Sequence, residues 1–145
     1  MHGFNDHDVV GTAQQFTIWR QGDLVAMEVH GLVDDKVSDA WRAALGAEFR
    51  RQGHPRFYAM DVSLSQPRYS VPAHFRTAAF VRETLKHVEH AVVRVPRAGT
   101  AALVAESVLT VVGMGNIRLV SDVLEFQGMV DLMRLGHALT SARGR

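Results

Sequence analysis

Ser70 is the residue in this 145-residue chain whose type and setting best suit chemistry. It stands in the stretch Pro67-Arg68-Tyr69-Ser70-Val71-Pro72, where a proline two positions later is at home in the first turn of a helix. A serine hydroxyl there accepts a hydrogen bond from a first-turn N–H, worth about 1 kcal/mol as an N-cap. A phosphate would be welcomed at the same place, because unpaired N–H groups and the helix dipole favour negative charge. Ser70 is therefore a candidate phosphoacceptor, although the cap alone needs nothing beyond what the sequence shows.

Asp34, Asp61 and Ser63 are expected to converge at the carboxyl edge of a sheet, where sites gather in α/β proteins. Together with Arg68, Tyr69, Ser70, Val71 and Phe75 they form a candidate interaction surface. Their simpler role is to satisfy turn backbone. Arg94 and Arg97 flank Pro96 just ahead of Gly99 and Thr100, a candidate anion site at a helix start; solvated surface arginines are the alternative. Eight histidines are present, but no two fall at i, i+4 on one helix, and no metal site or cofactor is expected. Gly113-Met114-Gly115 precedes a strand and reads as a helix-ending turn rather than a nucleotide loop. No nucleophile has a recognisable general base, so no catalytic residue is assigned and no enzymatic activity is expected.

The elements that must position these residues follow from periodicity. Residues 1–15 read as a flexible leader, and 139–145 as a tail around a domain spanning 16–138. Strands Phe16–Arg20 and Leu24–His30 flank a Gly22 turn, and Gly31-Leu32-Val33-Asp34 ends the second strand. A helix from about Asp35 to Arg51 carries the stripe Val37, Trp41, Ala44, Leu45 and Phe49. Glu48 breaks that stripe, and Arg42, Arg50 and Arg51 lie off it.

Phe57–Val62 is apolar enough for a central strand covered on both faces, and Ser63 to Ser70 reads as a polar loop. The second helix starts on Ser70, with Phe75, Ala78, Ala79, Arg82 and Leu85 at helical spacing. Strand Glu89–Val95, helix Ala98–Gly113, strand Asn116–Ser121 and a helix from Asp122 to about His137 complete the chain. In that last helix Val123, Phe126, Val130, Met133 and His137 are expected to face inward. The order ββαβαβαβα predicts an α/β domain with a mixed, mainly parallel five-stranded sheet and four helices.

Ala98–Gly115 is too short and too interrupted by Glu106 and glycines for a membrane span. Its helix is more apolar than one sheet-facing stripe requires. That implies burial within the monomer, a homodimer contact, or one wall of an apolar pocket. Trp19, Trp41, Phe57 and Tyr58 are read as core. A net charge of +1 gives no reason to expect nucleic acid, and the absence of cysteine excludes disulfides and thiolate chemistry. A cytoplasmic protein is expected.

Over residues 16–136 the element order resembles the STAS domain, the fold of bacterial anti-sigma-factor antagonists. Gly31-Leu32-Val33-Asp34 matches that family's Gly-x-Leu/Ile-Asp, and Asp61-Val62-Ser63 its Asp-Leu-Ser. In the antagonists a kinase phosphorylates a serine or threonine at the next helix start, within Asp-Ser-Ser/Thr-Gly. Ser70 holds that position here without the preceding aspartate or the following glycine. The chain is closer to a divergent, SpoIIAA-like branch that shares its core topology with lipid-binding CRAL-TRIO domains. The resemblance implies a non-catalytic regulatory or protein-interaction module, with a regulatory kinase or another regulator as partner and Ser70 open to phosphorylation. The alternative is a carrier of a small, lipid-like apolar ligand held between sheet and helices.

Overall fold

The computed structural model describes residues 1–113 and 115–143. Its first strand, β1 (Val9–Thr12), falls within the stretch expected to be a flexible leader, and it pairs antiparallel with β2 (Phe16–Gln21). Four residues that include a glycine carry too little pattern to announce a strand. The neighbouring strand supplies what the local sequence lacks, and Val10 packs against the core. β2 turns into β3 (Leu24–Val33) with Gln21 opposite Leu24. Gly22 takes a φ of 56° at this tight turn, the left-handed conformation that matches strand twist.

From β3 onward every strand is parallel to its neighbour: β4 (Phe57–Pro67), β5 (His90–Arg94) and β6 (Ile117–Val120) follow in spatial order. Among the described residues the sheet thus has six strands, not five, in the order βββαβαβαβα. The connecting helices are α1 (Asp35–Gln52), α2 (Val71–Leu85) and α3 (Thr100–Val112), and α4 (Val123–Arg143) closes the chain. Because β3 to β6 step in one direction across the sheet, right-handed crossovers put α1, α2 and α3 on one face. The opposite face is left to α4 and the N-terminal residues.

Two cores follow from that division. Under α1 to α3 lie Val25, Met27, Val29 and Tyr58, packed with Trp41, Leu45, Phe49 and Leu85. Under α4 the alternate residues Leu24, Ala26, Phe57, Ala59 and Val92 meet Phe126, Val130 and Met133. Asp122 accepts from the Glu125 N–H at 2.9 Å at the start of α4. Val123 is exposed rather than inward, and the His137 side chain lies outside the described residues.

β3 and β4 both run further than their composition suggests. Gly31-Leu32-Val33 continues β3 instead of ending it, and Ser63 to Pro67, expected to be loop, is strand. The reason is mutual: Gly31 pairs with Ser65, Leu32 with Gln66 and Val33 with Pro67, after an irregularity between Glu28 and His30. This two-stranded extension reaches beyond the ends of β2 and β5. In α2 the buried stripe is Ala73, Thr77, Ala78 and Leu85, flanked by half-buried Phe80 and Val81. Phe75, Ala79 and Arg82 are turned outward.

Glu48 is 3% exposed, as its place on the α1 stripe requires. It faces Arg20 at 3.6 Å and Arg51 at 2.5 Å. Arg20 also donates to the carbonyls of Gly22 and Gly53 at 2.8 and 3.0 Å, so a hairpin arginine neutralises the carbonyl end of α1.

Candidate functional site

The N-termini of α1 and α2 lie side by side, and Ser70 joins them. Asp34 caps α1 by accepting from the Val37 N–H at 2.9 Å. The next residue, Asp35, reaches across to Ser70, accepting from its N–H at 2.6 Å and from its hydroxyl at 2.7 Å. The Ser70 oxygen in turn accepts from the Ala73 N–H at 3.3 Å, which makes it the N-cap of α2. Those two donations, the N–H first, hold the Asp35 carboxyl below its ordinary range. Ser70 remains exposed.

Behind this latch a buried arginine ties the same helices together. Arg42, expected off the α1 stripe, is 8% exposed. Its Nη1 donates to the hydroxyls of Ser38 and Thr77, each at 2.6 Å, and Nη2 donates to Asp39. The Thr77 hydroxyl in turn donates to the Ala73 carbonyl at 3.0 Å. Asp35, Ser38, Asp39, Arg42 and Thr77 all escaped the sequence analysis. Ser38, Arg42 and Asp35 sit on α1 at the spacing of one helix face, but their partners lie some 35 residues on.

Around Ser70 the surface is apolar and open. Val71 is 68% and Phe75 58% exposed, Arg68 is exposed, and the Arg68 N–H is fixed to the Val33 carbonyl at 2.8 Å. Tyr69 departs from the expected surface. It is turned inward against the core, and burial pushes its hydroxyl up to about 12.

Asp61 and Ser63 do not converge with Asp34. Asp61 stands opposite Glu28, so Asp34 lies six residues further along β3, roughly 20 Å at strand rise. Asp61 accepts instead from the Ser63 N–H at 2.9 Å, the Ser63 hydroxyl at 2.6 Å and Arg94 Nη1 at 3.2 Å. Arg94 is thereby committed to Asp61 and is not brought to the anion site expected with Arg97, Gly99 and Thr100. Gly99 is the N-cap residue of α3 and supplies no side-chain cap. Alternation along β4 and β5 puts Asp61 and Arg94 on the α4 face, whereas α3 lies across the sheet.

Between the sheet and α1 to α3 lies a cavity of about 110 Å³. Its walls include Trp41, Tyr58, Tyr69 and Phe80, closed on the far side by Val104 and Val108 of α3. The excess apolarity of α3 is accounted for in part by this wall and in part by packing of Val108 and Val112 on Ala78. Leu103, by contrast, is exposed. His54 and His87 lie with ring centroids 4.5 Å apart and their planes tilted by 44°. Among the described residues no group of three histidine or carboxylate side chains could hold a metal ion, and no helix is long and apolar enough to cross a membrane.

No family model and no curated protein matches this sequence. Solved structures do match. An uncharacterised protein of the DUF3478 family with a SpoIIAA-like fold, from Shewanella loihica, superposes with a TM-score of 0.55 at 12% identity, covering 82% of this chain and 97% of that one. The anti-sigma-factor antagonist SpoIIAA in its unphosphorylated form gives a TM-score of 0.51 at 10% identity, over 80% of this chain and 97% of its own. The chain therefore folds as a divergent STAS-like domain, α/β with a mixed sheet.

Proposed function

We propose that this chain is a non-catalytic regulatory module that binds a protein partner through the open end of α2. Arg68, Ser70, Val71 and Phe75 form the contact, with Asp34 at its border. The observation that carries this reading is the pairing of an exposed, hydrogen-bonded serine with two exposed apolar residues on the same helix start. The likeness in fold to an anti-sigma-factor antagonist supports a protein partner such as a regulator or its kinase. Phosphorylation of Ser70 opposes the complex in this proposal. A phosphoryl group on the Ser70 oxygen has no proton to give Asp35 and sets negative charge against that carboxylate. The helix N-terminus still attracts it, so α2 persists while the tie to α1 is broken.

The test is capture of partners from cell extract by the full chain and three variants. Phe75→Asp should abolish a specific complex and Ser70→Asp should weaken it at least tenfold, whereas Leu132→Asp on α4 should leave it intact. A complex indifferent to Phe75→Asp removes the surface from consideration, and one indifferent to Ser70→Asp removes the switch. The carrier alternative is favoured by the cavity, but its volume narrows the cargo. An engineered cavity of about 150 Å³ holds one benzene, so 110 Å³ is far short of a lipid chain.

A further inference from the structure

Protein interiors hold few voids larger than a water molecule, which makes the cavity under α1 to α3 unusual, and its two polar groups more so. Tyr58 lines it and is 2% exposed. Its hydroxyl makes no hydrogen bond among the described residues, and burial raises its ionisation well above the ordinary value. A buried tyrosine hydroxyl usually finds a partner. Tyr69 lines the same space, half-buried and likewise without a hydrogen-bond partner among the described residues. The other hydroxyls there are engaged: Thr77 with Arg42 and the Ala73 carbonyl, Ser65 with the Val62 carbonyl at 2.7 Å. Two phenolic donors therefore stand among hydrocarbon walls with nothing from the protein to receive their protons.

We infer that this cavity is a binding site for a small, mostly apolar molecule carrying one hydrogen-bond-accepting oxygen, received by the hydroxyl of Tyr58. Scaling from benzene in about 150 Å³, the cavity takes roughly four or five non-hydrogen atoms, the size of a short ketone or alcohol. Trp41 and Phe80, set edge to face with centroids 5.7 Å apart, offer an aromatic wall to a flat ligand. The site is independent of the Ser70 surface, since its walls are the sheet and the inner faces of the helices.

The experiment is titration of the full chain with butanone and, separately, with its hydrocarbon isostere 2-methylbutane, followed by methyl NMR of Met60, Val104, Val108 and Leu103. Butanone should give saturable shifts at Met60, Val104 and Val108 and none at exposed Leu103, with 2-methylbutane binding about tenfold more weakly. Tyr58→Phe keeps the ring and should weaken butanone about tenfold while leaving 2-methylbutane unchanged. Ala105→Leu, which fills the cavity from α3, should abolish both and raise the melting temperature. Absence of saturable shifts at the cavity methyls, equal affinity for butanone and 2-methylbutane, or an unaltered butanone affinity in Tyr58→Phe would overturn the inference. A cavity occupied by ordered water gives that last pattern. Loss of partner binding in Phe75→Asp bears only on the Ser70 surface, so the two readings fail separately.

Discussion

Arg42 and Thr77 let the burial of a charge be weighed against its hydrogen bonds. Thr77→Val keeps the shape of the side chain but removes the oxygen that accepts from Arg42 at 2.6 Å. The guanidinium stays buried, with Ser38 still at 2.6 Å and only a 3.5 Å approach to the Ala73 carbonyl in place of the lost bond. Loss of a hydrogen bond to a charged group costs about 1.5–3 kcal/mol. Arg42→Met is the gentler change despite its size. Methionine retains much of the stem packing, and removing the guanidinium also removes the penalty for desolvating it. Nothing buried is stranded by it: Thr77 keeps its 3.0 Å bond to Ala73, Ser38 keeps Thr77 at 3.4 Å, and the Asp39 carboxylate is 55% exposed. Expected losses are about 2 kcal/mol for Thr77→Val and under about 1 kcal/mol for Arg42→Met, with the double variant about as costly as Thr77→Val because the buried Ser38 hydroxyl then loses both partners. Urea unfolding followed by circular dichroism would measure them as midpoint shifts at constant slope. If Arg42→Met proves the costlier change, the buried guanidinium is a net stabiliser and its hydrogen bonds outweigh its desolvation.

Ser70→Ala removes the α2 cap and the tie to Asp35, and should lower the melting temperature by roughly 3–5 °C, the equivalent of about 1 kcal/mol. The Asp35 carboxyl is depressed when folded, so its contribution is present above the ordinary carboxylate range and lost as the pH falls through the folded value; Ser70→Ala should flatten that acid limb of the stability curve. The chain has two tyrosines, Tyr58 and Tyr69, and both line the cavity. Ultraviolet titration should therefore show no tyrosinate in the native protein at its ordinary value of 10. As a raised folded value requires, the stability that burial of neutral Tyr69 represents is intact below pH 10 and is lost as pH rises toward about 12. Gly128→Ala meets open space on exposed α4 and should stabilise by up to about 1 kcal/mol. Gly136→Ala should gain nothing, because its new methyl would press on the Phe57 ring at 3.2 Å.

What the sequence discloses and what it hides divide along the range of the interactions. Strands and helices whose own residues carry the period were legible: α1 from Val37, Trp41 and Leu45, and the central strand from Phe57-Tyr58-Ala59. The Ser70 cap was legible as well, because cap and partner are three residues apart. Ser63 to Pro67 reads as loop because its residues are polar and it contains Pro67; only the pairing with Gly31-Leu32-Val33 makes it strand. β1 fails to announce itself for the same reason. Arg42 looks like a surface residue until Thr77, brought in by α2, supplies an acceptor. Asp35 looks like an ordinary first-turn carboxylate until Ser70 arrives beside it.

The cavity is the consequence of topology that no local pattern contains. Three crossovers of one hand must place three helices on a single face of four parallel strands. α1 fills its share with Trp41, Leu45 and Phe49, whereas the buried residues of α3 are small: Ala101, Ala102, Val108 and Val112. An enclosed void of this size would cost about 2–3 kcal/mol relative to a filled core, and this one, open along one side, costs part of that. One larger side chain on α3 would close it, as Ala105→Leu is expected to show. A penalty so easily removed, at the one place where two tyrosine hydroxyls lack partners among the described residues, is better explained by an occupant than by careless packing.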